Sequence, residues 1–109
     1  MVRPIKLLQG SVDVLILKTI SKEPMHGYGV SNWIRQRTGG VLGMEDAALY
    51  QALHRLQAKG WIEAEWGISE NNRRAKYYQL TAKGRKHLRA ETVTWRRYTK
   101  AVAKVLDYA

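Results

Sequence analysis

The sequence predicts a mainly α-helical chain with one small β-hairpin, and three observations carry that expectation. Apolar residues recur at helical spacing in four segments. Between the third and the fourth the pattern switches to alternation on either side of a polar turn rich in Asn and Arg. A last helical pattern of about 26 residues, roughly 39 Å long, follows. Three helices with a basic hairpin beside the third make a winged helix-turn-helix, and the long C-terminal helix beyond it is suited to dimerisation.

The elements follow in order. Ser11 is placed to cap the first helix, Asp13 suits its positive end, and Val12, Leu15, Ile16, Thr19 and Ile20 form a stripe. Pro24 ends it. His26-Gly27-Tyr28-Gly29 opens the second helix, which carries Trp33 and Ile34 and stops at Gly39-Gly40. The third begins near Glu45-Asp46, turns Ala48, Leu49, Ala52, Leu53 and Leu56 toward the core, and closes at Gly60. In the first hairpin strand, 61–66, Ile62, Ala64 and Trp66 share one face, with Trp61, Glu63 and Glu65 on the other; the second strand pairs Tyr78 with Leu80. Trp33, Trp61, Trp66 and Tyr78 are expected to point toward a core.

Thr81 is placed to cap the final helix, which reaches Leu106. Leu88, Thr92, Trp95, Thr99, Val102 and Leu106 recur at alternating spacings of four and three, a seam for another helix, and a homodimer accounts for it most economically. The expected division is 1–81 as a winged-helix DNA-binding domain and 82–109 as a dimerisation helix.

Composition narrows the function. The chain has 109 residues, no cysteine, and a formal net charge of +10. Residues 1–40 hold six bases and two acids, 41–80 five of each, and 81–109 eight and two. The excess favours a polyanionic partner but lies mostly outside the helix and hairpin. Lacking cysteine excludes disulfides, thiolate catalysis and thiolate-ligated zinc. No apolar run is long enough to span a membrane, and Met1-Val2-Arg3-Pro4-Ile5-Lys6 does not read as an export signal, so a cytoplasmic location is expected. There is no Gly-x-Ser-x-Gly, no phosphate-cradling glycine loop and no acid pair in an apolar stretch, which argues against an enzyme. No cofactor or metal is expected; His87 and Glu91, four apart, read as an exposed helical pair rather than half of a metal site.

With its core face committed, the third helix leaves Ala47, Tyr50, Gln51, His54 and Arg55 outward, in position for a major groove. Tyr50 can donate to a phosphate, Gln51 can pair with adenine, and Arg55 can reach guanine or a phosphate. On the hairpin, Asn71 and Asn72 accept turn geometry while Arg73, Arg74 and Lys76 extend toward phosphates or a minor groove. The competing class is a basic nucleoid or RNA-binding protein, gripping its partner through the C-terminal helix.

Several stretches resemble PadR-like transcriptional regulators. They are His26-Gly27-Tyr28, then Leu49-Tyr50-Gln51-Ala52-Leu53-His54-Arg55-Leu56, then Gly60-Trp61-Ile62, then Asn71-Asn72-Arg73-Arg74-Ala75-Lys76-Tyr77-Tyr78 and Leu80-Thr81-Ala82-Lys83-Gly84. The resemblance implies a dimeric winged-helix repressor that binds a palindromic operator near its own or a neighbouring gene. Ala48 departs from the pattern, where relatives often have Ser or Thr, and Gln51 stands where many have Pro. Some short PadR-like repressors carry a Trp on the C-terminal helix and bind planar aromatic compounds between subunits, which marks Trp95 as a candidate effector residue beside its role in packing.

Overall fold

Burial of apolar side chains organises the chain around its first helix. The computed structural model describes residues 5, 6 and 9–109; residues 1–4, which bear on the export reading, lie outside these. In order the elements are β1 (Ile5–Lys6), α1 (Gln9–Thr19), β2 (Met25–His26), α2 (Gly27–Arg37), β3 (Leu42–Gly43), α3 (Asp46–Ala58), β4 (Ile62–Ile68), β5 (Arg74–Leu80) and α4 (Ala82–Leu106). The expected four helices and hairpin are present, in winged helix-turn-helix order. Three two-residue strands add to them. β2 joins β5 antiparallel, with Met25 opposite Tyr78 and His26 opposite Tyr77, so the sheet runs β2-β5-β4; β1 pairs in parallel with β3. Two residues are too few to show an alternation, so such strands leave no pattern in the sequence.

The core joins Ile16 and Leu17 of α1, and Ile20 just after it, to Val30 and Ile34 of α2, to Leu49, Leu53 and Leu56 of α3, and to Ile62, Tyr78 and Leu88. α1 begins at Gln9, so Ser11 sits inside the helix and is not its cap. Its buried surface is also wider than one stripe, because α2, α3 and α4 all pack on it: Val14 and Leu17 are buried too. His26 starts α2, its Nδ1 accepting from the N–H of Gly29 at 3.0 Å. α3 ends in a Schellman motif, with Gly60 N–H donating to the Gln57 carbonyl and Trp61 N–H to that of Leu56. The φ of +77° at Gly60 is what a glycine there permits. Thr81 caps α4 as expected, its Oγ1 accepting from Gly84 N–H at 3.0 Å.

Several side chains lie elsewhere than expected. Ala48 is exposed, since α3 turns only Leu49, Ala52, Leu53 and Leu56 inward. Trp33 is 40% exposed, at the edge of a cavity of about 490 Å³ with Lys18, Met25 and Arg37. Trp66 is 56% exposed: it shares a face with the buried Ile62, but by that point β4 has run past the core. Trp61 and Tyr78 do pack inward.

Along α4 the environment changes. Leu88 is 7% exposed and belongs to the chain's own core, which removes it from the free part of the seam. Trp95 is partly buried against the start of α1, where a Cβ added to Gly10 would lie 3.6 Å from the indole, and meets Tyr98 edge-on at 5.6 Å. Every residue beyond Trp95 is exposed, and the molecule is 55 Å along its longest axis.

Candidate nucleic-acid interface

α3 presents three directions. Leu49, Ala52, Leu53 and Leu56 face the core; at about 100° per residue, Ala47, Gln51 and His54 then point directly away from it, while Tyr50 and Arg55 stand on opposite flanks. All five outward residues are exposed.

The two flanks meet different neighbours. Arg55 forms an ion pair through its Nη2 with Asp13 Oδ1 of α1. It therefore ties two helices together. Helical geometry shows that Arg55 leaves the core face, but not that α1 brings a carboxylate within reach. On the other flank Tyr50 is half exposed and leans on the first turn of α2. A Cβ on Gly27 would fall 2.8 Å from the Tyr50 hydroxyl, so a glycine is what lets this side chain lie there. Burial holds the Tyr78 phenol above its ordinary pKa, and the neighbouring Tyr50 pushes it the same way.

The hairpin supplies the facing wall. β4 and β5 pair with Ile62 opposite Leu80, Ala64 opposite Tyr78, Trp66 opposite Lys76 and Ile68 opposite Arg74. These pairs share one face, so the sheet passes from the core at its base to Trp66, Lys76 and Arg74 further out. The other face carries Glu63 and Glu65, and Gln79 Nε2 donates to Glu63 Oε1 at 2.8 Å. The pleat thus separates Glu63 and Glu65 from Arg74 and Lys76, while Glu70 at the turn stands on the cationic side. The connecting turn is closed by Asn72 N–H to the Ser69 carbonyl at 2.9 Å and Ser69 N–H to that of Arg73 at 2.8 Å, with Asn72 at φ +58°. Arg73 and Asn72 stand exposed at this tip.

Between the walls lies an open cleft of about 770 Å³, bordered by Tyr28, Tyr50, Trp66, Arg73, Arg74 and Lys76. The arrangement suits one strand of a nucleic-acid backbone: cations for phosphates, hydroxyls to donate, and aromatic surface for sugars.

Some charge seen in the sequence is used inside the fold. Lys83 Nζ donates to the Lys59 carbonyl at 3.0 Å, at the C-terminal end of α3, and Arg85 Nη1 to the Ser21 carbonyl at 3.4 Å, just past α1. His87 lies flat on Trp61, ring centres 3.6 Å apart, with Lys59 Nζ 4.8 Å from the same indole. These contacts join residues far apart in the chain and so leave no local trace in the sequence.

Comparison with known proteins agrees with this geometry. The sequence model of the Transcriptional regulator PadR-like family matches residues 16–90, from the core of α1 through the hairpin into α4. The chain belongs to this family. Membership makes it a DNA-binding transcription regulator, not an enzyme. The PadR-like chain is 32% identical over 89 residues to an uncharacterized protein of Lysinibacillus sphaericus, covering 82% of each. Among solved structures it is similar to a transcriptional regulator from Clostridium thermocellum, with 30% identity, TM-score 0.79, and 88% of this chain and 93% of that one covered. It is also similar to a PadR family transcription regulator from Clostridium difficile, with 28% identity, TM-score 0.76 and coverage of 87% and 97%. A PadR-like transcriptional regulator from Bacillus cereus matches at 26% identity, TM-score 0.79 and coverage of 94% and 97%. Among the described residues no helix is long and apolar enough to cross a membrane.

Proposed function

We propose that this PadR-like chain is a homodimeric, cytoplasmic repressor of its own or a neighbouring gene, reading a palindromic operator with Ala47, Gln51 and His54 of α3. Tyr50, with Asn72, Arg73, Arg74 and Lys76 of the wing, grips the adjoining backbone. The observation that carries this reading is the cleft, which sets Tyr50 of α3 and the first turn of α2 opposite the cationic face of the hairpin. Arg55 contributes only where DNA draws it from Asp13.

Residues 1–81 form the DNA-binding unit in this proposal, and 82–109 the dimerisation helix, whose free seam starts at Trp95. Trp95, Tyr98, Thr99, Val102 and Leu106 fall on one side of α4, with Thr92 just before them. Lys86, Arg89, Arg96, Arg97, Lys100 and Lys104 fall on the other, so like charges point away from a partner helix. In a dimer Trp95 would border the space between subunits, where a planar aromatic effector would stack and relieve repression.

Competition binding tests the proposal. A regulator prefers the duplex upstream of its gene over random duplex and RNA by about 10³ or more, whereas equal affinity would mark a basic nucleoid or RNA-binding protein instead.

A further inference from the structure

Trp66 is an anomaly of the wing. A large apolar ring stands 56% exposed on the hairpin face that carries the cations, beyond the point where that face meets the core. It is not bare: the guanidinium of Arg74, diagonal to it across the strand pair, lies 4.5 Å from the ring centre. Across the cleft stand the exposed rings of Tyr28 and Tyr50. Core packing does not account for an indole there. Neither does the opposite hairpin face, where Glu63 and Glu65 lie.

We infer that Trp66 contacts DNA directly and positions Arg74, the two forming one preassembled grip on the sugar-phosphate backbone beside α3; this rests on the DNA-binding reading above. A guanidinium stacked on an indole keeps its N–H donors free in its own plane, so it can bind a phosphate without leaving the ring. Stacking also removes rotamer freedom that a solitary arginine would lose on binding. The exposed remainder of the indole then packs on deoxyribose of the same strand. A lysine at position 74 would keep the charge but lose the planar fork.

Because such a grip reads backbone and not sequence, a labelled random duplex of about 30 base pairs at about 50 mM KCl is a sufficient probe, followed by fluorescence anisotropy. Trp66→Ala is expected to weaken binding about fivefold, Trp66→Leu equally, and Trp66→Tyr to recover most of the loss. Arg74→Ala should weaken the wild-type chain by about tenfold but the Trp66→Ala chain by only about twofold, because the two side chains act as a unit. Arg74→Lys should fall between. Thermal melting within a few degrees of wild type shows that each variant is folded; if Trp66→Ala is not, the Leu and Tyr variants decide the matter alone. Wild-type affinity in Trp66→Leu, or losses that simply multiply in the double variant, would overturn the inference while leaving DNA binding intact. A wild-type chain that binds neither this duplex nor upstream DNA would overturn the DNA-binding reading itself.

Discussion

Replacing Gly84 with alanine should separate α4 from the hairpin. A Cβ at this position would lie 1.8 Å from the carbonyl oxygen of Trp61, a backbone atom that cannot rotate aside. Ordinary contact, at 3.4 Å or more, requires at least about 1.6 Å of movement, and opening that gap disturbs the joint around Thr81. There, Thr81 N–H donates to the same Trp61 carbonyl at 3.1 Å, and Thr81 Oγ1 both donates to the Gly60 carbonyl at 2.7 Å and accepts from Gly84 N–H. Overpacking costs about 1–3 kcal/mol, and a weakened cap and hydrogen bond about 1 kcal/mol each. The gain in helix propensity returns at most about 1 kcal/mol. The net loss is roughly 2–4 kcal/mol, or a melting temperature lower by about 10–25 °C. Circular dichroism on heating measures it, with Gly10→Ala as control. That Cβ would meet the Trp95 ring at an ordinary 3.6 Å, so the control should melt at or slightly above wild type. A Gly84→Ala chain as stable as wild type would refute the close approach of α4 to the start of β4.

Three further outcomes are expected. Changing both Arg73 and Arg74 to alanine should weaken binding to specific and random DNA alike and lower the slope of log affinity against log salt by about one unit per lost phosphate contact; an unchanged slope would remove the wing from the mechanism. The raised pKa of the buried Tyr78 phenol favours the folded state below the unfolded value of 10.0, and that contribution disappears as pH rises through the folded value. Tyr78→Phe should therefore lose less stability than wild type in urea unfolding on going from about pH 9 to about pH 11. Val102→Asp puts a carboxylate on the exposed seam of α4 and should shift light scattering from dimer toward monomer at physiological salt; a wild-type chain that is already monomeric would remove the dimer.

The fold was legible wherever one element's own pattern decides it. The 3.6-residue period of α3, the glycine at 60, Thr81 as a cap and the alternation of β4 each leave a local trace, and each is found in place. Contacts between distant segments leave none. Arg55 and Tyr50 look equally outward on a helical wheel, yet one is paired with Asp13 and the other rests over Gly27. Trp66 alternates correctly with Ile62 and Ala64, but alternation gives a face and says nothing of how far the core extends beneath it. The charge excess after residue 80 is similar: part of it, in Lys83 and Arg85, holds carbonyls at the ends of other helices.

Footprinting of the upstream DNA tests the central claim most directly. Two α3 helices in a symmetric dimer should protect two inverted half-sites about one helical turn, ~34 Å, apart, with flanking backbone covered by the wings. Uniform, sequence-independent protection, or none at concentrations where the chain binds duplex, would contradict it.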